Sequence, residues 1–248
     1  MNSDIKCVIK LLLEGKATLV TFIQVIKYII LYAFIQFTST IILFINGTNY
    51  SKNQFLSIDL FVTFPLIILF SINPAKKKLT NETASISLIN YPLIISLILQ
   101  MILILFFQLL SWYVLSREKW YNNYHPKKSV DIDKVIPSYE NNVIYFVANL
   151  QYYISFFILS INYPFKKSIF KNLILIIYLS IAIGYSLFLI IYPDQFSSYL
   201  LNLIYIPSYY FKFLLITICL TNLISSYLCE NYLVYAISRS FDLNNINE

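Results

Sequence analysis

Residues 91–114 read YPLIISLILQMILILFFQLLSWYV, an apolar run with no charged side chain, interrupted mainly by Ser96, Gln100, Gln108 and Ser111. An α-helix rises 1.5 Å per residue, so about 20 residues of this kind cross the hydrocarbon layer of a bilayer. Runs of similar character lie before it at 19–45 and 55–72, and after it at 143–161, 173–192 and 211–228. The expected fold is therefore all-α, a polytopic membrane protein with six transmembrane helices. These form one domain at 19–228, flanked by a cytoplasmic segment at 1–18 and a cytoplasmic tail at 229–248. Composition agrees: of 248 residues 58% are hydrophobic and 12% charged, and the mean hydropathy is +0.68, well beyond a soluble domain with one buried core. With 3 Gly and 8 Pro there is little flexible linker, and too few residues lie outside the runs to build a second globular domain.

Charge placement gives the expected orientation. Lysines gather in short cytoplasmic loops, and Lys76, Lys77 and Lys78 follow the second run while Lys166, Lys167 and Lys171 follow the fourth. The loop after the first run has only Lys52, and the loop after the fifth has no basic residue before Lys212. Both termini are thus expected in the cytoplasm. The third loop carries Arg117, Lys119, Lys127, Lys128 and Lys134, offset largely by Glu118, Asp131, Asp133 and Glu140. Glu14, Gly15 and Lys16 interrupt the apolar stretch too early for a cleaved leader, so the first helix reads as an uncleaved anchor. In this orientation Asn46-Gly47-Thr48 is a luminal glycosylation sequon, with Asn46 as the possible acceptor close to a helix end, whereas Asn81-Glu82-Thr83 stays cytoplasmic.

Several chemistries find no support. The net charge of +6 is spread over loops rather than over one basic face, which argues against nucleic acid. Cys7, Cys219, Cys229 and the single histidine, His125, lack metal-ligand spacing, and Cys219 and Cys229 read as small apolar residues of a membrane helix. Gly184-Tyr185-Ser186 has the Gly-x-Ser pattern of an intramembrane serine protease, but His125 lies in a loop and no base accompanies it. No phosphate loop or nucleotide fingerprint is present. No inverted repeat relates the first three runs to the last three, which argues against a complete secondary transporter.

Ionisable side chains in hydrocarbon require a partner, a wet cavity or an interface. Asp59 lies one turn inside the second run and Lys212 opens the sixth, so the two fit either a structural ion pair or substrate contacts. Lys27, near the cytoplasmic end of the first run, fits a snorkelling lysine. Tyr28, Tyr32, Gln36 and Thr40 recur every four residues and form a polar, aromatic stripe on one helix face. Such a stripe serves as interhelical glue, as Ser96, Gln100, Gln108 and Ser111 do, or as the wall of a cation path. Aromatic faces, an amide and a carboxylate suit a slender polycation.

The landmarks also occur in a familiar order: Cys7-Val8, Glu14-Gly15-Lys16, Lys27-Tyr28, Leu31-Tyr32, Gln36-Phe37, Gln54-Phe55-Leu56 and Ile58-Asp59-Leu60. Then come Trp120-Tyr121, Tyr139-Glu140-Asn141, Gln151-Tyr152, Pro164-Phe165-Lys166-Lys167, Asn172 and Phe211-Lys212. Over 3–230 this pattern resembles the C-terminal half of the membrane domain of a type V, subgroup B, P-type ATPase, the polyamine-transporting pumps of late endosomes and lysosomes. Lys16 stands where the family has Arg, and Ile26 and Ile29 replace Phe and Met.

The resemblance implies that the six helices are the last six of a ten-helix pump core, with Glu14-Gly15-Lys16 ending the stalk from the phosphorylation domain. It further implies that Tyr32, Gln36 and Asp59 line the polyamine path, that Phe55 lies near its luminal mouth, and that Lys212 is a basic position beside it. The parent pump uses ATP and Mg. In this chain the Asp-Lys-Thr-Gly motif, the nucleotide-binding and actuator domains and a proline-broken fourth helix are not found. It is expected to be a transport segment that needs the N-terminal part of the pump, holds no cofactor of its own and hydrolyses no ATP alone. The expected partners are lipid, a polyamine or other cation, and that missing part, in an endosomal, lysosomal or related membrane. A standalone six-helix scaffold or regulatory subunit is the alternative.

Overall fold

The computed structural model describes residues 6–76, 91–121, 137–161, 166 and 172–234. Among them are six helical segments long and apolar enough to cross a membrane. The first, α1, runs over Lys6–Ile45, so the helix extends back through Glu14-Gly15-Lys16 and most of the 1–18 segment. The second span is compound. α2 (Lys52–Ser57) begins with Ser51 and Gln54 in a reciprocal capping box, widens into a π-helical turn at Ile58–Thr63, and continues as α3 (Phe64–Ile72). Pro65 accounts for the break, because it brings no N–H to the carbonyls one turn back. The Phe61 carbonyl instead accepts a hydrogen bond from the Tyr178 hydroxyl.

The remaining spans are α4 (Tyr91–Ser116), α5 (Tyr139–Ile161), α6 (Leu173–Ile191) and α8 (Tyr209–Leu228). A short helix, α7 (Gln195–Leu201), precedes the last span, capped by Asp194, whose side chain accepts from the Ser197 amide. Hydrogen bonds from the Ser197 hydroxyl first and then from its amide hold the Asp194 carboxyl below its ordinary range. Sequence gave no sign of α7. α8 also passes beyond 228 into a π-helical segment at Cys229–Val234, so the expected cytoplasmic tail begins as helix. Residues 235–248, His125 and Lys77 to Lys128 of the loop lysines other than Lys119 lie outside the described residues, as do Lys134, Lys167, Lys171 and the Asn81 sequon.

α5 is the hub. It is the most deeply enclosed span, and it packs against α1, α4, α6 and α8. It is also among the most polar, with Glu140, Asn141, Asn142, Asn149 and Gln151 all buried. In a bilayer the hydrophobic effect does not drive helices together, so association rests on packing and on hydrogen bonds that satisfy these groups. Gln108 of α4 donates to Gln151 Oε1 at 2.9 Å, and Gln151 returns a bond to the Ile104 carbonyl at 3.1 Å. Asn149 donates to Ser186 Oγ of α6 at 3.1 Å. The Ser186 of the Gly-x-Ser pattern is thus a packing residue, and its own hydroxyl bonds back to the Ala182 carbonyl. Aromatic landmarks converge at one end, where Trp120 lies edge-on to Tyr139 and Phe211 and Tyr121 donates to Glu140 at 2.6 Å.

Candidate functional site

The π-helical turn in the second span aims Asp59 at α1. Such turns displace the backbone ladder by one residue and recur at functional positions. The Tyr32 hydroxyl donates to Asp59 Oδ1 at 2.5 Å, and the Gln36 amide approaches the same oxygen at 3.4 Å. The three residues therefore form one cluster, with Tyr32 and Gln36 four apart on a single face of α1 and Asp59 exposed on the outside of the bundle. Behind it the Tyr152 ring of α5 lies 5.6 Å from the Tyr32 ring. Deeper still, the Tyr152 hydroxyl is buried without a hydrogen-bond partner, beside the buried Tyr28 hydroxyl, which faces Thr63. Buried polar atoms are normally satisfied, so an unsatisfied group of this kind marks a place for water or a polar ligand.

Phe55 stands four residues before Asp59, half-buried, with its ring 5.3 Å from Tyr50. It belongs to a belt at one end of the bundle where Gln54 donates to Asn141 and Ser57 meets Tyr145. Lys212 stands apart from the cluster. It is buried, its ammonium donates to the Ile191 carbonyl at 2.7 Å, and it lies 3.9 Å from the Tyr205 ring centre. Ile191 ends α6, so Lys212 serves as a cation at a helix C-terminus. The ion pair of Asp59 with Lys212 is not formed.

Lys27 corrects another expectation. It does not snorkel: its side chain is only 4% exposed, and its ammonium bonds Ser96 Oγ at 2.8 Å and Glu230 Oε1 at 3.2 Å. Ser96 also donates to Glu230 Oε2 at 2.7 Å. Asn46 is likewise engaged, donating to the Ile42 carbonyl at 2.7 Å and accepting from Trp112 Nε1 at 3.1 Å. Among the described residues no group of His, Cys, Asp and Glu is arranged to hold a metal ion.

Fold and cluster together define a polytopic α-helical membrane protein with a carboxylate held inside a span. No family model matches the chain. It is 32% identical over 184 residues to the vacuolar cation-transporting ATPase YPK9 of Saccharomyces cerevisiae, covering 74% of this chain and 12% of that protein. It is 31% identical to the human polyamine-transporting ATPase 13A3, covering 68% of this chain and 15% of the relative, and 30% identical to human 13A2, covering 72% and 15%. The chain belongs with the membrane part of the type V, subgroup B, P-type ATPases. It spans roughly an eighth of the length of these relatives, 12–15%.

Proposed function

We propose that the chain is the transport segment of an ATP-driven pump for polyamines or other cations in an endomembrane, and that Tyr32, Gln36 and Asp59 contact the cation. The names of its relatives support the cargo class. The observation that carries the reading is the exposed Asp59 carboxylate. A carboxylate facing lipid is costly, so this face is covered by further protein or opens onto water, and where water reaches it the carboxylate offers a cation a negative contact beside Tyr32. Phe55 lies toward the luminal mouth, while Lys212 acts indirectly by fixing the ends of α6 and α8. ATP and Mg chemistry belongs to the N-terminal part of the pump. The segment alone is expected to hydrolyse no ATP, and turnover by the purified chain that mutations within it abolish would contradict this.

Binding of spermine to the chain in lipid nanodiscs tests the site. Asp59→Asn keeps the shape and removes the charge; loss of an interaction worth about 2 kcal/mol raises Kd roughly thirtyfold. An unchanged Kd in well-folded Asp59→Asn protein would remove Asp59 from the path.

A further inference from the structure

Between α5, α6 and α8 lies a cavity of about 360 Å³, walled by Leu150 and Phe157 from α5, Ile183 and Leu187 from α6, and Cys219 and Leu220 from α8. A second hollow of about 490 Å³ runs on along α6, sharing Phe157, Ile183 and Leu187 and reaching Gly184. Gly184 helps to keep it open, since a Cβ added there would meet no atom within 4 Å. The first cavity is lined by residues from the middle of all three spans, and its wall exposes almost no polar atom.

Three kinds of occupant are conceivable, and size and polarity separate them. Water is unsuitable, because an apolar cavity offers it no hydrogen-bond partner and stays dry. A further spanning helix is too long: it needs a groove about 30 Å in length, whereas the lining runs only over 150–157 of α5, about 10 Å of helix rise. A hydrocarbon chain is slender and apolar. It also has access, because the cavity is half open rather than enclosed, and Leu220 on its wall is 54% exposed. The cavity is therefore continuous with the lipid-facing surface of the spans. Left empty, it would deprive its walls of dispersion contacts on one side.

We infer that this cleft is a binding site for an acyl chain of a bilayer phospholipid, which enters between α6 and α8 and reaches α5. The occupied cleft joins α6 to the hub through lipid. Photolabelling distinguishes this from ordinary contact with lipid at the periphery, because α5 is otherwise enclosed. The chain is placed in phosphatidylcholine nanodiscs containing phosphatidylcholine with a mid-chain diazirine, irradiated, and its adducts are mapped by mass spectrometry. Adducts are expected on α5 around Ile154 and Phe157, as well as on the outward-facing Ile181 and Phe213. In a Gly184→Leu, Ile183→Trp variant the α5 adducts should fall several-fold while those at Phe213 persist. Wild-type protein labelled only at outward positions would overturn the proposal, as would undiminished α5 labelling in the filled variant with unchanged circular dichroism. Should the filled variant fail to fold, the presence or absence of wild-type α5 adducts decides.

Discussion

Lys166 belongs by sequence to a topogenic lysine cluster, yet its side chain turns inward. The ammonium is buried and donates to Gln24 Oε1 at 3.1 Å and to the Phe70 carbonyl at 2.7 Å, near the C-terminus of α3. Burial pulls its pKa down from the ordinary lysine value to about 8. Between about pH 8 and the free-lysine value the unfolded chain therefore binds more protons than the folded one, and this group makes stability rise with pH across that window. The thermal midpoint in detergent is expected to climb as pH passes from about 7.5 to about 9.5, and Lys166→Met should flatten that slope. No pattern of residues announces such a lysine, since its partners lie 142 and 96 positions away. Tyr32 and Gln36 were legible because helical spacing alone puts them on one face; that they meet Asp59 became visible only once the π-helical turn was in place. The Asn46 sequon was equally legible, but its bond to Trp112 was not, the two being 66 residues apart.

Among the elements, the spans could be read because each buries about 20 apolar residues and the bilayer admits few other shapes. What escaped was whatever polar pairing determines. α8 continues past 228 because Glu230 reaches Lys27 on α1 and Ser96 on α4, so three spans meet in one cluster. A lysine near a span end and an acid just after another span read separately as a snorkelling residue and a tail residue. Joined, each satisfies the other in a medium that offers no water. Lys27→Met leaves the Glu230 carboxylate without its cation, which should destabilise the protein by about 3 kcal/mol, or somewhat less because that carboxylate retains some exposure. Adding Glu230→Leu should recover most of the loss, since replacing both members of a buried pair with apolar groups is often neutral. Unfolding curves of the two variants in micelles check this; a double variant no more stable than Lys27→Met would show that the pair is not the source of the loss. The second span had a legible cause for its irregularity in Pro65, although neither the widening into a π-helical turn nor the Tyr178 hydroxyl that bonds the Phe61 carbonyl could be read from it.

For the whole molecule, the connections sort into two sets by contact. Asn53 at the start of α2 donates to the Leu200 carbonyl of α7, Asn141 reaches the Asn49 carbonyl, and Asn142 donates to the Ile204 carbonyl. The connections after the first and fifth spans, together with the start of α5, therefore lie on one side of the bundle. At the opposite end Ala75 pairs with Lys166 in an isolated antiparallel bridge, joining the connections after the second and fourth spans. This geometry fixes which loops share a side but not which side is cytoplasmic, because the spans themselves are apolar and indifferent to direction. The lysine distribution gives the expected sign: the side with Lys76 and Lys166 is the richer in short-loop lysines, and we propose that it is the cytoplasmic side. Lys166 is buried in the folded protein, but the positive-inside bias concerns the charge of the loop as the chain inserts rather than its final contacts. The third connection, with Arg117 and Lys119, falls on the other side through the contact of Trp120 with Phe211. It opposes this assignment by its Lys and Arg alone, and the offset expected from its acidic residues carries little weight under a rule that counts only Lys and Arg, so the assignment rests on the short loops. The prediction is then sharp. In a variant lacking Cys7, Cys219 and Cys229, a cysteine replacing the exposed Lys76 should react with an impermeant maleimide added from the cytoplasm. One replacing the exposed Lys52 should react only after the vesicle is opened. Because the two positions are held on opposite sides by the fold, both must report together: the reverse pattern would invert the topology and place the Asp59 cluster nearer the cytoplasmic mouth, while labelling of both from one side would contradict the bundle itself.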